Sequence, residues 1–129
     1  MVRTFIASLL ITAPAALTAS EPTFYRDVLP VLQKNCQGCH RPGEIGPMPL
    51  LTFEQARPWA KAIRQAVLTK KMPPWFAEPN VGKFANDRSL SKEDLATLTS
   101  WADTGTKEGS KKDAPKPVER LFPFVLRSR

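Results

Sequence analysis

Only one histidine, two cysteines and three methionines occur among these 129 residues, and that scarcity excludes a good deal. A structural zinc site takes four ligands, usually from two separated Cys or His pairs, and the chain has no second pair. No stretch alternates apolar and polar residues as a half-buried strand does, so nothing in the sequence points to a β architecture. The main apolar run, residues 4–17, is too short for a convincing membrane span. The formal net charge of +7 would suit nucleic acid or an anionic membrane if it were gathered on one face. It is not gathered: residues 20–106 carry 11 Lys and Arg against 9 Asp and Glu, and residues 107–129 carry 7 against 3. About half of the excess therefore lies in the C-terminal tail, and no nucleic-acid partner is expected.

What the chain does have is an arrangement of these scarce residues. Cys36-Gln37-Gly38-Cys39-His40 holds both cysteines and the histidine, in the C-x-x-C-H spacing of covalent c-type haem attachment. Two thiols about one helical turn apart can each add to a vinyl group of one porphyrin. The next residue, His40, then becomes the proximal iron ligand through one ring nitrogen, while the other donates to a backbone carbonyl. The competing reading is a redox dithiol or structural disulfide with His40 as a chance neighbour. A thioredoxin-like pair should open a helix within a βαβ unit, whereas here the residues before Cys36 read as helical. A single histidine excludes bis-histidine ligation from within the chain and a second haem of this type. With no other histidine or acid-base pair, a self-contained peroxidase is also disfavoured.

Arg3, the apolar run and the small residues after it have the layout of a secretory signal, with cleavage after Ala15 or near Ala19 or Ser20. An uncleaved anchor is the alternative. The expected organisation is a signal at 1–20, one domain at 21–109 and a Lys/Pro-rich tail at 110–129. Roughly 110 residues after the leader make one small core, and the implied location is the bacterial periplasm, where haem is attached after export. No stable membrane span is expected once the signal is removed.

The helical pattern is readable in three places. Phe24, Val28 and Leu32 recur along one face, with Asp27 as the expected N-cap, Pro30 in the first turn and the helix running into Cys36. Residues 41–50 contain Pro42, Gly43, Gly46, Pro47 and Pro49 and read as a loop around the proximal side. Thr52 and Gln55 form a capping box; Pro58 implies a short turn followed by a helix, or one kinked helix, with Trp59, Ile63 and Val67 buried and Lys70 and Lys71 at its C-terminus. After an irregular stretch at 76–88, Ser91 caps a last helix with Asp94 at N3, Leu90 against Leu95, and Leu98 with Trp101 or Ala102 inside; Gly105 ends it. The expected class is all-α, with three main helices and long loops.

For the sixth iron ligand, Met72 is preferred: it follows a helix and precedes two prolines that stiffen the turn. Met48, between Pro47 and Pro49, is the competitor, and its reach does not exclude it. An open sixth position, or Lys70 or Lys71, is the remaining alternative.

A helix ending in C-x-x-C-H, a Gly-Pro loop, a middle helix, a Met-Pro turn and a final helix with Leu95 and Trp101 resemble the class I cytochrome c family. Residues 24–109 are similar to small cytochrome c domains of exported bacterial proteins, with R-P-G-E at 41–44, P-W-A-K-A-I at 58–63 and M-P-P-W at 72–75. The resemblance implies a small cytochrome c fold around one covalent haem c, held by Cys36 and Cys39, ligated by His40 and Met72, with the first and last helices packed together. It also implies that the Pro47 carbonyl orients His40, with Pro42 close by. Trp59, Trp75 and Phe84 would line the haem, with Trp59 or Arg57 near a propionate.

One-electron transfer to redox partner proteins is the function expected. A haem enzyme, or a gas or peroxide sensor with an open sixth position, is the alternative. The tail, with Lys/Pro at 111–117 and an apolar patch at 121–126, reads as a docking segment, an edge packed on the domain, a link to a further domain, or a disordered end.

Overall fold

Thr23, four residues earlier than expected, caps the first helix. The computed structural model describes residues 20–77 and 81–118; the expected signal, apart from Ser20, and the apolar patch at 121–126 lie outside the described residues. Thr23 has extended backbone, and a π-helical turn, Phe24–Val28, runs directly into α1, Leu29–Asn35. Asp27 is inside that first turn, not at its cap. Its carboxylate reaches back to accept the Thr23 backbone N–H at 2.6 Å and the Thr23 hydroxyl at 3.3 Å. An acid one turn inside a helix neutralises an orphan N–H as well as a capping side chain does, which is why Asp27 allowed the wrong starting point. Pro30 then follows the widened turn, where its ring has more room beside the preceding carbonyls than in a regular helix.

The second helical stretch begins as the capping box predicts. The Thr52 side chain accepts the Gln55 N–H at 3.3 Å while the Gln55 side chain accepts the Thr52 N–H at 3.3 Å. The result is α2, Phe53–Ala56, a 3-10 turn over Arg57–Trp59 at Pro58, and α3, Ala60–Leu68. The tighter turn changes the phase of the buried face. Ala60, Ile63 and Val67 point inward, whereas Trp59 is 44% exposed, contrary to expectation. The last helix, α4, Lys92–Asp103, is capped by Ser91, whose hydroxyl accepts the Asp94 N–H at 3.0 Å. It closes with Gly105 at φ +90° and a Thr106 N–H bond to the Trp101 carbonyl at 3.0 Å, a Schellman-type end that a glycine at this position favours.

Among the described residues there are helices and no strands, so their fold is all-α. The first stretch crosses α4, and α4 also packs along α3. Phe24 and Trp101, both fully buried, lie at the first crossing with ring centroids 5.9 Å apart; Tyr25 and Phe53 meet Phe24 edge-on at 5.3 and 5.6 Å. Val28, Leu32 and Leu98 complete the fully buried set. Each such side chain contributes about 1.5–3 kcal/mol relative to exposure, so this crossing dominates the energetics of the fold.

Residues 110–118 of the tail lie against the first helical stretch. A 3-10 turn, Lys111–Asp113, packs on the first helical turn, and the Gln33 side chain donates to the Lys116 carbonyl at 3.2 Å.

Burial raises the Asp27 carboxyl, but hydrogen bonds from Arg26 and from the Thr23 backbone outweigh it and hold the acid below its usual range. A depressed acid stabilises the fold above the unfolded-state pKa, and that stabilisation is lost as pH falls through the folded value. Urea titrations of the wild type should therefore show a loss of stability below about pH 4, and Asp27→Asn should flatten that dependence; an equally steep profile in the variant would contradict this role.

Candidate functional site

α1 delivers Cys36 at its C-terminus. The Cys36 and Gln37 N–H groups both bond the Leu32 carbonyl at 2.8 Å, and the Cys39 and His40 N–H groups both bond the Cys36 carbonyl at 3.0 and 2.9 Å. Cys36, Cys39 and His40 thus lie on one hydrogen-bonded turn. Both cysteines are free thiols. Burial, with smaller contributions from the charges of Asp94 and Cys39, pushes the Cys36 thiol up to about 11. A nucleophilic dithiol site has the opposite character, a depressed pKa in electropositive surroundings.

His40 is buried, and its Nδ1 lies 3.1 Å from the Met48 carbonyl. A carbonyl only accepts, so in the neutral ring Nδ1 carries the proton and Nε2 keeps its lone pair. The orienting carbonyl belongs to Met48, a correction to the expected Pro47. Two bonds set this register: Gly46 N–H to the Cys39 carbonyl at 2.9 Å, and Leu50 N–H to the His40 carbonyl at 2.9 Å. They fold the loop back so that residue 48 faces the ring. Gly46 is required for the approach, since a Cβ there would stand 2.6 Å from the Cys39 carbonyl oxygen and 2.8 Å from His40 Nδ1. Gln37 adds a second tie that sequence reasoning missed: it is buried and donates to the Leu50 carbonyl at 2.9 Å. A glutamine between two cysteines carries no signal of that role.

Met72 is positioned by the end of α3. Lys70 takes the left-handed conformation at φ +57°, its N–H bonds the Val67 carbonyl at 3.2 Å, and the Lys71 and Met72 N–H groups both reach the Ala66 carbonyl, at 2.9 and 3.2 Å. This is a Schellman close built without glycine. Met72, half-exposed, lines a cavity of about 370 Å³ together with Trp75, Phe84, Val67, Leu90 and Leu95. That volume is within the usual range for small-molecule sites. Trp75 and Phe84 meet edge-on at 5.6 Å.

The structure therefore brings Met72, Trp75 and Phe84 together, and holds Cys36, Cys39 and His40 on a separate turn that does not line this cavity. The two groups are linked through the start of α4: Asp94 acts on Cys36, and its neighbour Leu95 lines the cavity. Trp59 lies outside the cavity, at the N-terminus of α3. Met48 packs against the core and contributes its carbonyl to His40, and it is not among the residues lining the cavity beside Met72. Among the described residues, no three His, Cys, Asp or Glu side chains gather as a metal site, and no helix is long and apolar enough to cross a membrane.

No protein-family model, curated protein or solved structure matches this chain.

Two outcomes follow from this geometry. Gly46→Ala should destabilise the domain by about 1–3 kcal/mol, as overpacking against backbone does, and a nuclear magnetic resonance signal from the His40 Nδ1–H should lose its hydrogen-bonded shift; an unchanged melting curve would refute the close approach. Cys36 should alkylate far more slowly at pH 8 than a free cysteine and accelerate only as pH approaches 11; rapid neutral-pH labelling would refute its burial.

Proposed function

We propose that this chain is a mono-haem c-type cytochrome domain that carries single electrons, with the thioethers at Cys36 and Cys39 and the axial iron ligands His40 and Met72. The observation that carries the reading is the state of His40. Its Nδ1 is held by the Met48 carbonyl, so the lone pair of Nε2 is free for a metal, on the same turn as two free thiols, of which Cys36 is pushed up by burial. The donor set fits haem: Cys36 and Cys39 would hold the porphyrin, and His40 and Met72 the iron. A raised Cys36 pKa suits an apolar attachment site better than a disulfide-exchange site.

When bound, haem supplies a ferrous/ferric couple. Everything else falls to the chain. His40 is oriented by Met48, as proximal histidines are by a second partner. Met72 is fixed by its N–H bond to Ala66 and offers a thioether, which favours a raised potential. Trp75, Phe84, Val67 and Leu95 give the Met72 side much of its apolar lining, with Lys70, Asp87 and Ser89 at the same cavity. With His40 and Met72 both holding the iron, the bound haem would pass electrons with little rearrangement and would leave exogenous ligands no free site. The fold proposed is the small cytochrome c fold implied by the resemblance, the partners are redox proteins, and the compartment is the bacterial periplasm, on the strength of the leader read in residues 1–20.

Produced in a periplasm with haem-maturation machinery, the protein should keep its chromophore through acid-acetone extraction, and its reduced form should bind carbon monoxide poorly. Colourless protein with a Cys36 to Cys39 disulfide would sink the assignment. Met72→Ala should abolish the weak sulfur-to-ferric-iron band and lower the midpoint potential; a band that survives would transfer the ligand role to Met48.

A further inference from the structure

Asp94 serves the fold twice. Its backbone N–H is capped by Ser91, and its carboxylate Oδ2 accepts Lys34 Nζ at 3.0 Å and Asn35 Nδ2 at 3.2 Å. The two partners are unequal. The Asp94 side chain is only 17% exposed, while that of Lys34 is 68% exposed, so the anion is fixed and mostly removed from water, and its countercharge stands in solvent where it is screened. Asn35 is anchored in turn, its side chain also donating to the Val31 carbonyl at 3.2 Å, and the next residue is Cys36. On the other side of Asp94 comes Leu95, in the wall of the Met72 cavity. The carboxylate thus stands at the junction of the thiol turn and the Met72 side, and its charge reaches Cys36.

We propose that Asp94 is a positioning residue that lowers the reduction potential of the domain, its fixed carboxylate favouring the state in which the electron has left. The inference rests on the haem reading above. Departure of one electron raises the charge of the site by one and involves no bond and no proton; a nearby anion stabilises the more positive form, more strongly where water is scarce. Asp94 acts through geometry as well, since it ties the end of α1 to the start of α4 and so fixes its own distance from the Cys36 turn.

The test is a spectroelectrochemical titration of the holoprotein in three forms, wild type, Asp94→Asn and Lys34→Met, at low ionic strength. Asp94→Asn keeps an acceptor for Asn35 but removes the charge, and should raise the midpoint potential, seen as a several-fold fall in the ferric-to-ferrous ratio at fixed applied potential. Lys34→Met removes the exposed countercharge, leaves the Ser91 cap and the Asn35 bond in place, and should move the ratio the other way. Shifts of opposite sign support the proposal; shifts of the same sign, or none, overturn it, because a merely mechanical clamp has no reason to respond to the sign of the charge removed. If Asp94→Asn yields no holoprotein, Lys34→Met decides alone: a lowered potential supports the role and an unmoved one overturns it. A wild type lacking covalent haem overturns the haem reading and this inference with it, whereas a normal wild-type spectrum with unmoved potentials overturns this inference alone.

Discussion

The Lys107 carbonyl accepts two hydrogen bonds, from the Phe24 backbone N–H at 2.8 Å and from Trp101 Nε1–H at 3.0 Å, and the rest of the structure depends on that junction. It satisfies an orphan donor at the start of the first helical stretch and the one polar atom of a fully buried indole, both of which would be costly if left unpaired. The chain leaving α4 is thereby stitched to the chain entering the first helix. Gly109, at φ +78°, lets the strap continue past Thr23, where a Cβ would stand 2.6 Å from the Thr23 Cβ. Phe24 and Trp101 are then held in contact, their rings tilted at 45°, and the packing of Val28, Leu32 and Leu98 follows from their helical spacing.

This crossing is what gives the thiol turn a fixed place. Joined to α4 at its start by Phe24 and Trp101 and at its end by the contacts of Asp94 with Lys34 and Asn35, the first helical stretch cannot slide, so Cys36 emerges at a defined position. The 41–50 loop, with its glycines and prolines, owes its shape to three bonds near His40, those from Gly46, Leu50 and Gln37. Met72 is fixed by separate means, the left-handed Lys70 and the Ala66 carbonyl. The thiol turn and Met72 are thus presented by different elements, each fixed by its own backbone bonds, and the start of α4 touches both, through Asp94 on one side and Leu95 on the other.

The helices were legible because their signals are local. Ser91 with Asp94, Thr52 with Gln55, and Gly105 name their own caps, and each bond forms within a few residues in sequence. Where two local signals competed, reading failed. Asp27 is as good an N-cap as an acid in the first turn, and only the packing of Phe24 under Trp101 extends the helix back to Thr23. Trp59 obeys the helical period with Ile63, yet Pro58 tightens the preceding turn and rotates it outward in favour of Ala60. The likeness that named Pro47 missed by one residue, because the register of a loop is set by hydrogen bonds to distant backbone, here Cys39 and His40. Gln37 was invisible for the same reason: its partner, Leu50, lies 13 residues away.

By itself the sequence determined the helical class, the starts of the helices capped by Thr52 and Ser91 and the stop at Gly105, and the chemistry available at each position: two thiols and an imidazole within five residues, a thioether before two prolines. These are properties of short segments, governed by covalent spacing and by interactions within a turn or two. Only the tertiary structure decided which carbonyl orients His40, which aromatic side chains share a cavity with Met72, and that Asp94 stands between the two. Those relations join residues far apart in the chain, and they come from burying the Phe24 and Trp101 faces together, a requirement that the whole fold satisfies and no segment can express alone.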